Sequence, residues 1–269
     1  MEILNFILPF IVLLTVVVFV HEFGHYYFAK KYGVGITDFS IGFGKELFGF
    51  NDKLGTRWKF CMIPLGGYVK FFGDRNVFSQ AEQNELLKKY SKEDQQKLFV
   101  TKPLYQRSLI VLAGPLANFV LAIFIFMFIY MFAGKDFTPA QISEVQQDSP
   151  AHSVGIKSGD VILSINNEKV NSILEVSTFI NTSTTESVDI KILRNDAELS
   201  FNLLPKKITS EDSLGNKINK KVIGIKIIPL NNKLNKERLG PTKALFYAVK
   251  ETWFVTQASF DFVLSIFKG

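Results

Sequence analysis

His21-Glu22-Phe23-Gly24-His25 sets two imidazoles and a carboxylate directly after the apolar run Ile7 to Val20. Apolar and aromatic residues continue beyond it through Tyr26, Tyr27, Phe28 and Ala29. On a helix, positions i and i+4 share a face, so His21 and His25 can grip one zinc ion with Glu22 beside the metal-bound water. That is the chemistry of peptide hydrolysis. Short strings of this kind recur by chance, but ionisable residues inside a hydrophobic helix are rarer, because lipid makes them costly unless a site satisfies them. The plainer reading is a helix end whose polar residues reach lipid headgroups, and the metal spacing argues against it. The motif predicts zinc-dependent peptide cleavage within a membrane.

The elements that hold such a motif must be partly membrane-embedded. Of 269 residues, 47% are hydrophobic and 27 are phenylalanine, which is too apolar for an ordinary soluble domain. The composition is also too mixed for a bundle made wholly of spanning helices, so a membrane protein with a soluble insert fits best. The net charge of +6 is not gathered into a nucleic-acid-binding tract; much of it flanks apolar runs, where Lys and Arg orient membrane segments. The single cysteine, Cys61, excludes an internal disulfide and is expected to be a small packed hydrophobe.

Two spans are predicted, at about 4–28 and about 108–132, each long enough for a bilayer core. The first carries Glu2 and no basic residue on its N-terminal flank, and no small-residue cleavage pattern follows it, so it reads as a retained helix rather than a signal peptide. Lys30 and Lys31 follow the first span, and Lys102 and Arg107 precede the second. The positive-inside rule then puts the loop 30–107 in the cytoplasm and both far ends outside. Within that loop, Thr37 to Lys70 is rich in glycine, aromatic and β-branched residues and predicts short strands and hairpins, with Gly66-Gly67 as a turn. From about Ser79 to Val100 the chain is charged and predicts a solvated helical excursion.

Beyond Pro139 the pattern changes again. Strands are predicted over Gln141 to Val145, Val161 to Ile165, Val188 to Leu193 and Leu199 to Leu204. A helical turn is expected at Ser149-Pro150-Ala151, a tight turn at Asn166-Asn167 and a helix over Ser172 to Asn181. This is a compact β-rich unit over 139–205. His152 lies within it, far from the other histidines, and is expected at the surface or in packing rather than on a metal. Pro241 to Gly269 is apolar but interrupted by Lys243, Lys250, Glu251 and Asp261. An amphipathic helix at the membrane surface, with Trp253 and the phenylalanines dipping in, accommodates those charges better than a span does.

These pieces in this order resemble the site-2 protease family, in particular the bacterial regulator-of-sigma zinc metalloproteases. The resemblance rests on HEFGH in the first span, Gly42-Phe43-Gly44, Pro64-Leu65-Gly66-Gly67-Tyr68-Val69-Lys70, Ala113-Gly114-Pro115-Leu116-Ala117-Asn118-Phe119, and a PDZ-like insert. It implies a multi-pass α-helical membrane core with a re-entrant β-hairpin and a β-rich PDZ-like domain (α+β). The zinc-peptidase core would be 1–135, the PDZ-like domain 139–205, and 206–269 a linker and surface helix leading into a C-terminal half. It implies His21 and His25 as zinc ligands, Glu22 as general base and acid, and Gly42, Gly44 and Asn118 as substrate-binding residues. Zn2+ is the implied cofactor.

The implied function is an intramembrane zinc metalloendopeptidase that cleaves single-span membrane proteins in regulated proteolysis. Its substrates would be transmembrane proteins of anti-sigma-factor type or signal-peptide remnants, its surroundings the lipid bilayer, and its location the bacterial inner membrane. The PDZ-like domain would lie on the extracytoplasmic side and take peptide C-termini; no nucleic acid is expected as a partner. One departure opens an alternative. The family's Asp-Gly span, whose aspartate completes the zinc site, has no counterpart here, and Asp261 lacks the following glycine. On that reading the chain is a C-terminally truncated piece whose two histidines hold zinc weakly, serving as a non-proteolytic, membrane-anchored peptide-binding module.

Overall fold

The computed structural model describes residues 2–73, 87–183, 185–211 and 217–268. It divides into two compact units, Met1–Ala122 and Ile123–Gly269.

The first unit begins with helix α1, Glu2–Lys31. Strands β1 (Ile36–Asn51) and β2 (Arg57–Phe71) follow as one long hairpin. Both strands bend, so Asp38 to Ile41 has neighbours on two sides: Arg57 to Phe60, and Lys70 back to Gly67. The tip is closed at Asp52, whose carboxylate accepts from the backbone N–H of Leu54 and of Thr56, both at 2.8 Å. The expected turn at Gly66-Gly67 falls within the span of β2, where that strand doubles back: Phe60 and Gly67 both neighbour Ile41, on opposite sides. The reversal between β1 and β2 falls where a side-chain acceptor can serve the turn's amides.

Of the charged stretch expected to be helical, 79–86 lies outside the described residues. Its remainder is helical at 87–89 and holds a helical turn, Lys92–Gln95, and a 3-10 turn, Phe99–Thr101. Helix α2, Leu104–Phe132, then opens in the first unit and closes in the second. Ala29, Val34, Ile36 and Ile110 form a small buried cluster that ties the end of α1 to β1 and α2. Asn5–Lys31 and Leu104–Phe132 are both long and apolar enough to cross a membrane. Large apolar side chains on the hairpin, Leu47, Phe48, Leu54, Met62 and Leu65 among them, are exposed.

The second unit is built on an antiparallel sheet. Its strands are β4 (Ala140–Val145), β5 (Val161–Ile165), β6 (Glu168–Lys169), β7 (Val188–Arg194), β8 (Ala197–Leu203) and β11 (Ile225–Pro229), in the order β11-β4-β5-β7-β8 with β6 paired to β5. Helix α3, Ile173–Thr182, packs Val176 and Ile180 into a core with Ile142, Ile162, Ile165, Ile190 and Ile192. The alternation of β7, with Val188, Ile190 and Ile192 buried and Asp189 and Lys191 exposed, is the half-buried strand its sequence announces. Two smaller pairs complete the strands: β3 (Lys135–Asp136) with β12 (Lys236–Glu237), and β9 (Lys206–Glu211) with β10 (Lys217–Val222).

Asn166 and Asn167, both at positive φ, make the predicted turn after β5. His152 sits exposed in the turn Pro150–Ser153. Arg194 closes the core's edge with two parallel bonds to Asp160, Nε to Oδ1 at 2.6 Å and Nη2 to Oδ2 at 2.7 Å. The hydrogen bond to this buried carboxylate pushes the guanidinium's pKa above its ordinary value.

Helix α4, Pro241–Lys268, buries Ala244, Ala248 and Thr252 and leaves Phe246, Val249, Trp253 and Phe260 exposed. Glu251 on its inner side accepts from Lys135 and from the Tyr130 hydroxyl, each at 2.8 Å.

Candidate active site

α1 carries His21, Glu22 and His25 in its C-terminal half, and α2 crosses it there. The crossing is close because small residues meet. A Cβ on Gly24 would lie 2.9 Å from the Cβ of Ala117, and a Cβ on Gly114 would fall on His25 Nε2 and lie 2.7 Å from His21 Nε2. Contact between helices within lipid depends on such small residues, since the surrounding chains are as apolar as leucine. Gly114 thus leaves the space that the two ring nitrogens face.

Those nitrogens are 3.2 Å apart. Two ligand nitrogens on a tetrahedral zinc, each bound at about 2.0–2.1 Å, lie about 3.3 Å from one another. The second ring nitrogens prepare the same state. His25 Nδ1–H donates to the carbonyl of Ile110 at 2.7 Å, which leaves the Nε2 lone pair free. Asn118 Nδ2 lies 3.3 Å from His21 Nδ1, and Asn118 Oδ1 is buried with no partner. Turning that amide by half a revolution lets Oδ1 accept from His21 Nδ1–H, which satisfies the orphaned atom and frees His21 Nε2 as well. The two imidazoles therefore fit as two of zinc's ligands. Among the described residues, no group of three His, Cys, Asp or Glu side chains comes together.

Of the sequence-predicted residues the structure brings His21, His25 and Asn118 together, while Glu22, next to His21 in α1, lies against Gly67. Gly42 and Gly44 are placed in β1 at φ of +88° and +84°, conformations that glycine tolerates and other residues rarely do. They lie against Cys61 to Ile63 of β2. The glycine that reaches the His21–His25 motif is Gly67, where a Cβ would sit 2.9 Å from Val18 Cγ1 and 3.3 Å from Glu22 Cγ. Sequence reasoning places Gly67 and Gly114 within longer motifs and gives them no part in the site. For Gly67 the available signal is a glycine inside a strand pattern, which marks a close approach of backbones.

A sequence model described as Peptidase family M50 matches residues 9–269. The chain belongs to peptidase family M50. A Mesorhizobium japonicum protein provisionally named a zinc metalloprotease is 40% identical over 264 residues, covering 97% of this chain and 71% of its own length. A protein of Agrobacterium fabrum with the same provisional description is 37% identical and covers 98% of this chain and 70% of its own length. Metalloprotease MmpA of Caulobacter vibrioides is 35% identical over 223 residues, covering 80% of this chain and 56% of its own length. Among solved structures, the PDZ domain of an SdrC-like protein from Listeria monocytogenes matches at 22% identity with a TM-score of 0.27, covering 34% of this chain and 90% of that domain. This M50 protein is a metalloprotease whose relatives' names point to zinc, and the family together with its two apolar helices points to a membrane protein.

Proposed function

We propose that this M50 protein is an intramembrane zinc endopeptidase that cleaves single-span membrane proteins in regulated proteolysis. The observation that carries the reading is the pair of imidazole nitrogens, 3.2 Å apart, opposite Gly114 and within a helix apolar enough to span a bilayer. His21 and His25 would hold the metal, oriented by Asn118 and by the Ile110 carbonyl. Zinc, when bound, would supply Lewis acidity and lower the pKa of its water.

Glu22 takes the proton released at the attacking water and returns it to the leaving amine nitrogen. The segment Gly67 to Lys70, an edge of the hairpin beside Glu22, offers its free backbone groups to a substrate stretch that has unwound from helix to strand. The exposed apolar residues of the hairpin support a re-entrant placement in the bilayer. The sheet of the second unit, with β11 at its edge and α3 beside it, supports a PDZ-like domain that takes peptide C-termini. The basic flanks of the two spans favour placing that domain on the extracytoplasmic side of a bacterial inner membrane.

Glu22→Gln is the direct test, since the amide keeps the shape and cannot take a proton. Zinc content should stay at the wild-type level while cleavage of a single-span substrate falls about a hundredfold to ten-thousandfold. Wild-type turnover by the variant would remove Glu22 from the mechanism.

A further inference from the structure

We infer that Asp52, at the tip of the hairpin, is a positioning residue for the peptidase reaction: through Tyr26 it fixes the height of the Gly67 strand against Glu22. The inference rests on the proposed role of Glu22.

Asp52 accepts four hydrogen bonds. Two, from Leu54 N and Thr56 N, close its own turn. The third comes from the Tyr26 hydroxyl at 2.6 Å and the fourth from Trp58 Nε1 at 3.3 Å. Tyr26 stands four residues after Glu22 on α1, and positions i and i+4 lie one above the other on a single helix face. The hairpin thus meets one stripe of α1 at two heights, by backbone approach at Glu22 and by a charge-assisted hydrogen bond one turn further on.

The material between the two points is stiff. The ring of Phe39 is fully buried and stacks on Trp58 at 4.1 Å between centroids. Tyr26 meets both rings edge-on, at 5.6 Å and 5.2 Å. The next residue in β1 is Ser40, whose carbonyl would lie 2.6 Å from a Cβ on Gly67. Ser40 is itself fully buried, and its hydroxyl donates to Gly42 O at 2.9 Å. A shift at the Tyr26–Asp52 bond is therefore transmitted through packed side chains and one strand ladder to the residue beside Glu22.

A carboxylate suits this role better than a neutral acceptor. Its two oxygens serve the turn amides and the two aromatic donors at once, and hydrogen bonds to a charged acceptor are the stronger kind. The other polar links between hairpin and helix are long, Thr15 Oγ1 to Pro64 O and Lys30 Nζ to Leu54 O, each at 3.5 Å. The Tyr26–Asp52 bond is the short one.

Tyr26→Phe is the sharper variant, because it leaves the turn's own bonds intact; Asp52→Asn is its partner in a double-mutant cycle. Both are made in the full protein in a Trp253→Phe background, where Trp58 is the one remaining tryptophan of two. Cleavage of a single-span substrate, zinc content and acrylamide quenching of Trp58 are measured together. The expected result is a kcat about tenfold to a hundredfold lower, as for a misplacement of about 1 Å. KM and zinc content should hold, and Trp58 should become more accessible to quencher. The double variant should be no worse than the more damaging single one.

Unchanged kcat and quenching in Tyr26→Phe would overturn the inference. So would losses that simply add, or a loss of zinc in step with activity, which would mean that the bond holds the metal helix rather than the strand. Glu22→Gln in the same assay separates the two levels: if it cleaves normally, the reading of the active site fails instead.

Discussion

For the proposed zinc site Gly114 matters beside the two histidines, though it brings no functional group. Any larger residue there puts a carbon where the ring nitrogens converge. Gly114→Ala should leave the helices formed, since alanine is the better helix former and the glycine's φ lies outside the left-handed region. Zinc affinity should fall by about tenfold or more, as when the groups that orient a metal's ligands are disturbed. Metal titration of the purified protein reads this directly, and wild-type affinity would show that α2 does not wall the site. Glu22 differs in kind. Its replacement by glutamine is expected to spare the metal and remove the proton transfer, so the two variants separate the site's geometry from its chemistry.

At the scale of elements, the hairpin and the β-rich sheet are held by different means. The hairpin is fastened to α1 by the edge-on contacts of Tyr26 with Phe39 and Trp58 and by the Asp52 acceptor, with many of its apolar side chains facing outward. The sheet of the second unit has an isoleucine-rich core and one buried charge, Asp160, whose side chain is 1% exposed. Arg194 supplies the compensating charge, and Lys157 N–H donates to the same carboxylate at 2.8 Å. Arg194→Met removes the partner and leaves the carboxylate buried, an error worth about 3 kcal/mol or more. Hydrogen exchange in β5 and β7 should register that loss as a smaller opening free energy. Protection unchanged from wild type would mean that water reaches Asp160 and takes over Arg194's role.

For the whole molecule, the test is which side of the membrane each part meets. Lys88 and Asn195 are both exposed, the first between the two apolar helices and the second in the turn between β7 and β8. After replacement of Cys61, cysteines introduced at these positions should be reached from opposite sides, Lys88 behind the inner membrane and Asn195 from outside. Labelling of both from one side would overturn the proposed topology.

What the sequence determined by itself was the local part: periodicity, turn chemistry and short-range motifs. The strand over Val161 to Ile165 appears with the predicted bounds, the helix over Ser172 to Asn181 appears one residue later, and the Asn166-Asn167 turn appears in the left-handed conformation. These depend on neighbours a few residues apart. The spacing of His21 and His25 is of the same kind, because the helix alone brings them onto one face. Tertiary structure decided everything that depends on which backbones pass one another. It added a turn at Asp52 and gave Gly67, beside the reversal of β2, a close approach to α1 as well. It chose Gly67 as the residue against Glu22, paired β11 with β4 across some eighty residues of chain, and set Gly114 opposite the imidazoles. No local pattern reports such distances, because the space a glycine leaves has meaning only once the element that fills it has been placed.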